Sequence, residues 1–271
     1  MQHDFSIVIT TYNSASTLED TLLSIRELDD TESPVETVVV DNASEDVSAE
    51  IAEGFPGVRL IRTDRNLGLA RANNIGASEV SGKSILFLNP DARLKSGTPL
   101  KFMEFEASHS DAALLGPRII DSGGRWQSSA RTYPTPFDIA LRRTPLGRLS
   151  CFQSRLDRHM FPVSEMTPAS VDWLSGAALW LTSAGKKNIG LMSERYFLYF
   201  EDVQWCMRAN RAGMKVWYVP EAVVIHEGRR ESSRGLSKAL WFHLMSMIRF
   251  FCEFPCALAG SCNKSKGDRS Y

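Results

Sequence analysis

Apolar residues in the first half of the chain come in short continuous runs: SIVIT (6–10), ETVVV (36–40), VRLI (58–61), SILFL (84–88) and ALLG (113–116). Runs of this length, bounded by polar and turn-forming residues, predict strands covered on both faces in a parallel sheet. Helical periodicity fills the gaps. Leu18, Leu22 and Ile25 repeat at i, i+4 and i+7, Ser16-Thr17-Leu18-Glu19 has the form of a capping box, and LGLARANNIGASE (67–79) makes a second helix. Strand and helix alternating in this order predict right-handed crossovers and a doubly wound α/β sheet with ligands at the C-terminal strand ends.

The second half reads differently. Residues 121–170 are rich in Gly, Pro, Ser and Arg with little periodicity, and are expected to be a long irregular segment, functional or mobile. Order returns at VDWLSGAALWLTS (171–183) and KVWYVPEAVVIHEG (215–228), which supply further strands, and SKALWFHLMSMIRFFCEF (237–254) is the last helix. Trp241, Leu244, Met245, Ile248, Phe251 and Cys252 recur on one face of it, the mark of packing on a core or lying on a membrane surface.

Composition excludes more than it assigns. At 271 residues, 43% hydrophobic and 23% charged, the chain is globular, and its net charge of −1 argues against a nucleic-acid-binding protein. The charge is uneven: the segment from Arg229 onward carries +5 and the rest −6, a basic tail suited to a local anionic partner. Five cysteines without paired spacing predict reduced thiols rather than structural zinc or a disulfide framework. MQHDFSIVIT enters a strand at once, so no signal peptide is expected, and no run of about 20 uninterrupted apolar residues predicts a spanning helix.

Candidate chemistry collects at predicted strand tips. Thr10, Thr11, Tyr12 and Asn13 end the first strand, and Asp41 and Asn42 end the second. A carboxylate there accepts from a ribose hydroxyl or a base N–H, or else caps the next helix. LFLNPDARL puts Asp91 behind a stiffening proline, either as a divalent-metal ligand on a diphosphate or as an exposed turn acid. YFLYFEDVQWCMRA sets Glu201 and Asp202 behind a run of aromatics, where burying charge is costly. No G-x-G-x-x-G follows a strand, and SGKS (81–84) lacks the first glycine of a phosphate loop.

The segments TTYN, VVVDNAS, DRNLGLARANNIG, LNPD, WLSGA, FLYFEDVQWCMRANRAG and VVIH stand in an order and spacing that resembles family-2 inverting glycosyltransferases of GT-A fold, nearest the bacterial rhamnosyltransferases of surface-polysaccharide synthesis. The resemblance covers roughly residues 4–255. It implies a Rossmann-like, mainly parallel mixed sheet flanked by helices over residues 1–236. Residues 1–120 would bind the nucleotide, 121–236 would serve catalysis and the acceptor, and 237–271 would form a helix and basic tail.

It also implies roles. Thr10, Thr11, Tyr12 and Asp41 would hold the nucleotide of a dTDP- or UDP-sugar, with Asn66 and Asn73 nearby. Asp91 and His226 would hold Mg²⁺ or Mn²⁺ on the diphosphate, and Asp202 would be the base. Glu201 is expected to cap a helix beginning near Val203, and Arg229 and Arg230 are candidate phosphate contacts. The acceptor would be a glycan or polyprenyl-diphosphate-linked sugar, reached from the cytoplasm at the inner membrane surface. Gln204 departs from the family pattern, which often has a further acid there. A nucleotidyltransferase and a non-catalytic nucleotide-sugar-binding module are the alternatives; the first would want a Gly-rich basic loop where this chain has TTYNSAST.

Overall fold

The computed structural model describes residues 3–28, 35–160, 163–227 and 238–259. The first half alternates as its apolar runs predict: β1 (Phe5–Thr11), α1 (Ala15–Arg26), β2 (Glu36–Asp41), α2 (Ser48–Glu53), β3 (Val58–Arg62), α3 (Leu69–Ser78) and β4 (Ser84–Leu88). A short β5 (Ala92–Leu94), α4 (Thr98–Ser108), β6 (Ala112–Ile120), β7 (Trp126–Gln127) and β8 (Ala130–Arg131) follow. Then come α5 (Pro136–Arg143), α6 (Ser150–Met160), β9 (Ala169–Ser170), β10 (Trp173–Leu174) and β11 (Ala178–Leu181). The chain continues through α7 (Ser183–Ile189), α8 (Glu201–Arg211), β12 (Lys215–His226) and α9 (Lys238–Glu253).

The main sheet has the order β3-β2-β1-β4-β11-β6-β12-β5. β1, β2, β3 and β4 are parallel, as are β6 and β12, and β11 lies antiparallel between β4 and β6. The parallel strands therefore all open their C-terminal ends on one edge, where an α/β sheet binds ligands. Ile7, Val8, Ile9, Val38, Val39, Val40, Ile85 and Leu86 are fully buried, as strands covered on both faces must be. β3 differs from that expectation. As the outer strand it is only half-covered.

Three local expectations are corrected. No capping box forms at Ser16: α1 starts at Ala15, whose N–H donates to Asp46 Oδ2 at 3.0 Å, so a carboxylate from a distant loop replaces the local cap. Residues 121–170 are not irregular throughout. They contain α5 and α6, and a capping box does form there, between Thr135 and Asp138 behind Pro136. The thiols are not all reduced, since Cys256 is disulfide-bonded while Cys151, Cys206 and Cys252 are free.

α9 covers a different face from the apolar one read from its sequence. Phe250, Phe251 and Ser246 are buried, but Trp241 is 62% exposed and Ile248 52%, with Leu244, Met245 and Cys252 exposed beside them. Of the predicted apolar stripe only Phe251 packs on the body. Among the described residues, no helix is long and apolar enough to cross a membrane.

Candidate active site

The end of β1 lies against α3. Thr10 Oγ1 donates to Asn73 Oδ1 at 2.7 Å, and Asn73 Nδ2 reaches Met192 Sδ at 3.6 Å. Both residues are buried, so Asn73 braces the strand tip from behind rather than facing solvent. Thr11 is fully buried and its hydroxyl finds no partner, whereas Tyr12 is exposed. At the tip of β2 Asp41 is 4% exposed. One carboxylate oxygen accepts from Ser44 N–H at 3.1 Å, and the other, Oδ1, is buried with no partner. A turn cap therefore uses half of Asp41 and leaves an acceptor over, which costs stability unless something fills it.

Asn42 organises the loop beside it. Its amide donates to Asn66 Oδ1 at 3.1 Å and its carbonyl accepts from Leu67 N–H at 2.8 Å, while Asn66 Oδ1 also accepts from Gly68 N–H at 3.0 Å. Gly68 has φ +86, and a Cβ there would stand 2.5 Å from the Phe197 carbonyl oxygen. Only glycine fits this conformation and this approach. Leu69 N–H donates to that same carbonyl at 2.8 Å, so the start of α3 is docked on the segment that leads to Glu201 and Asp202. Arg62, Thr63, Asp64, Arg65, Leu67 and Arg71 line a cleft of roughly 470 Å³.

Asp91 and His226, 135 positions apart, meet. His226 Nε2 lies 3.2 Å from Asp91 Oδ1, and both side chains are mostly covered. The contact follows from topology: β12 runs antiparallel to β5 with His226 opposite Ala92, the residue after Asp91. A carboxylate oxygen and an imidazole nitrogen form a donor pair that suits Mg²⁺ or Mn²⁺ when phosphate and water complete the shell. Among the described residues no third His, Cys, Asp or Glu joins them. The pair fits an ion held jointly with a diphosphate better than a closed protein site.

Asp202 sits in the first turn of α8 and is half-buried. Its Oδ1 accepts from Val203 N–H at 2.8 Å and its Oδ2 from Gly176 N–H at 3.0 Å. Gly176 belongs to the WLSGA turn, whose Ala177 carbonyl accepts from Asn89 N–H at 2.9 Å. One turn therefore ties the LNPD segment to the Asp202 carboxylate. Glu201 is inside the helix, not its cap: Phe200 holds the cap position, and Glu201 is 5% exposed with Oε2 unpartnered.

The two acids are thereby separated in charge. Burial, and then the neighbouring Asp202 charge, push the Glu201 carboxyl up to about 8. Burial also raises Asp202, but two backbone N–H groups oppose it by stabilising the anion. Of the two, Glu201 is the acid whose surroundings favour the protonated form, while the two N–H groups favour the charge on Asp202. Tyr199 and Phe200, immediately before them, both have φ +66. A left-handed backbone at a bulky aromatic costs of the order of 1–3 kcal/mol and persists only where surrounding packing imposes it. Asn13 and Ala43 are the other non-glycine residues with positive φ among the described residues, and they follow the tips of β1 and β2.

The sequence profile of Glycosyl transferase family 2 matches residues 6–171, more than half of the chain. The chain belongs to that family. Among its relatives, a Mycobacterium tuberculosis protein named N-acetylglucosaminyl-diphospho-decaprenol L-rhamnosyltransferase is 29% identical over 261 residues, covering 91% of this chain and 83% of the relative. The rhamnosyltransferase WbbL of Escherichia coli is 24% identical over 230 residues, covering 80% and 81%. The structure of GalNAc-T7 with UDP, GalNAc and Mn²⁺ superposes with a TM-score of 0.64 at 18% identity, over 95% of this chain and about half of that one (51%). At that identity the likeness speaks for the fold, which is the mixed, mainly parallel GT-A sheet.

Several residues of this glycosyltransferase matter structurally without having stood out in the sequence. Asn42 was legible only as a companion of Asp41, and Gly176 only as part of a motif. Glu253, at the end of α9, carried no signal of its own, yet it accepts hydrogen bonds from Tyr196 and Gln204. Arg229 and Arg230 lie outside the described residues.

Proposed function

We propose that this glycosyltransferase moves a deoxysugar, L-rhamnose from dTDP-rhamnose, onto a lipid-linked or growing glycan with inversion at the anomeric carbon. The names of two relatives support the sugar, and that of the M. tuberculosis protein supports a polyprenyl-diphosphate-linked acceptor. The observation that carries the chemistry is the shared edge of the sheet. Asp41 ends β2, the Asp91–His226 pair lies where β4 and β12 end, and Asp202 is hydrogen-bonded to the turn between β10 and β11.

In this reading residues 1–120 serve mainly the donor and 121–236 the acceptor and the base. Thr10, Thr11 and Tyr12 line the nucleotide through the β1 tip, and Asp41 Oδ1 accepts the base N3–H. Asn66 and Asn73 hold the surrounding loop and strand in place. Asp91 and His226 hold Mg²⁺ or Mn²⁺, which when bound neutralises charge on the departing diphosphate. Asp202 takes the proton of the acceptor hydroxyl as that oxygen attacks the anomeric carbon and the nucleoside diphosphate leaves from the opposite face. Tyr196–Phe200 exclude water that would compete as nucleophile.

A panel of nucleotides tests the donor half. A pyrimidine with an N3–H fills the orphan oxygen of Asp41, whereas the larger bicyclic guanine sets its N1–H farther from the sugar and diphosphate and out of register with that oxygen. The expected order, read by thermal stabilisation and donor hydrolysis, is dTDP and UDP above GDP, with Asp41→Ala removing the preference. Tighter binding of GDP contradicts the assignment.

The same reading puts the enzyme in the cytoplasm, peripherally bound at the inner membrane surface. Its support is the exposed face of α9, where Trp241, Leu244, Met245 and Ile248 are flanked by exposed Lys238 and Arg249. The turn between α5 and α6 likewise exposes Leu146 and Leu149 next to Arg148. Each basic residue at an anionic leaflet contributes ~1 kcal/mol, and apolar side chains add insertion. The protein is expected to sediment with anionic liposomes at low salt and to be released as ionic strength rises, with Trp241→Ser and Ile248→Ser weakening the binding. Equal partitioning onto neutral and anionic vesicles, or none onto either, rejects the placement.

A further inference from the structure

The family match ends at Val171, before α8 and α9, yet α9 touches the segment that carries the base. Glu253 Oε2 accepts from Tyr196 Oη at 3.1 Å and lies 3.5 Å from the Arg195 guanidinium, while Oε1 accepts from Gln204 Nε2 at 3.0 Å. Higher on the same helix face, Ser246 Oγ donates to the Leu198 carbonyl at 2.9 Å. Phe242 stacks on Phe197 with ring centroids 4.4 Å apart, and Phe250 meets Phe200 at 5.4 Å. One face of α9 thus grips residues 195–200 and the start of α8. Between the two grips lie Tyr199 and Phe200 in their left-handed conformation, with Asp202 two residues on.

We infer that Glu253 is a positioning residue for the transfer reaction. Strained residues stay strained only while their neighbours hold them, and Glu253 is the carboxylate that joins both ends of the strained segment, Tyr196 before it and Gln204 after it. This explains the departure at position 204. The glutamine is not an acid contacting the acceptor; it is 4% exposed and supplies the amide by which α8 is fastened to α9. Loss of Glu253 leaves a buried Tyr196 hydroxyl and the Gln204 amide without their acceptor, so the segment relaxes, the Asp202 carboxylate loses its fixed approach and water gains access to the donor. Glu253 touches neither donor nor acceptor, and its effect passes through the loop.

The inference rests on Asp202 being the base, and its test separates the two. Transfer kcat, donor KM and the ratio of donor hydrolysis to transfer are measured for Glu253→Ala and Glu253→Gln. For Glu253→Ala, kcat falls about tenfold, donor KM stays within about twofold and hydrolysis rises relative to transfer, because misplacing a reacting group costs rate rather than nucleotide binding. Glu253→Gln, whose carbonyl still accepts from Gln204 while its amide reaches the tyrosine oxygen, restores kcat and the wild-type ratio. Tyr196→Phe, which removes a single hydroxyl, gives a smaller loss that does not add to that of Glu253→Ala. A wild-type kcat and ratio in Glu253→Ala overturn the inference, as does an equal loss in Glu253→Gln. If Glu253→Ala does not fold, Tyr196→Phe decides, and unchanged kcat and ratio there overturn it. Active Asp202→Asn would instead reject the base, whatever the Glu253 variants show.

Discussion

Asp202→Asn binds donor as the wild type does and loses transfer by at least about a hundredfold, the usual consequence of removing a general base. The substitution changes little in shape. With its carbonyl facing Gly176 N–H the asparagine keeps the bond that joins the LNPD turn to α8 and gives up the one from Val203 N–H, so nucleotide binding is expected to be untouched. What disappears is the carboxylate that, as the proposed base, would take the acceptor proton. Glu201→Gln provides the control. Because the Glu201 carboxyl is pushed up to about 8, it is already protonated at neutral pH, and glutamine reproduces its charge. Below about pH 8 that variant keeps near wild-type kcat; above it, the wild type acquires a second buried charge and glutamine does not. Initial rates for both variants, with donor affinity measured separately, check this. A near wild-type rate in Asp202→Asn, or a larger loss in Glu201→Gln, assigns the base wrongly.

The second large effect belongs to the Asp91–His226 pair. Chelation is expected to abolish transfer, and Asp91→Ala to weaken nucleoside diphosphate binding far more than nucleoside binding, because the proposed role of the pair is at the diphosphate. His226→Ala follows the same pattern. Calorimetry with the nucleoside and its diphosphate, with and without Mn²⁺, separates these terms. Full activity in excess EDTA leaves Asp91 and His226 as a side-chain contact fastening β5 to β12, and nothing more.

The strand framework was legible because it is written in continuous apolar runs: SIVIT falls inside β1 and SILFL coincides with β4. Asp91 and His226 could be paired from the sequence because the family motifs fix which strand ends they occupy. Other features are tertiary and escape a local reading. The cap of α1 comes from Asp46, 31 residues on, so the Ser16 pattern was a coincidence of composition. The arginine-rich middle hides α5, whose start is nonetheless written in Thr135-Pro136-Phe137-Asp138, a capping box behind a proline. On α9 the apolar residues cover two faces rather than one. Periodicity picked the face bearing Trp241 and Ile248, while Phe242 and Phe250 on the other side, with Phe254 just past the helix end, do the packing. Glu253 shows the limit most plainly, because its meaning lies in Tyr196 and Gln204, 57 and 49 residues away.

The central claim is a single displacement assisted by one carboxylate, Asp202. The anomeric configuration of the product, read from its one-bond C–H coupling by NMR and compared with that of the donor, tests it most directly. One displacement from the face opposite the leaving diphosphate inverts that carbon, so the account predicts the opposite anomer. Retention of configuration contradicts it.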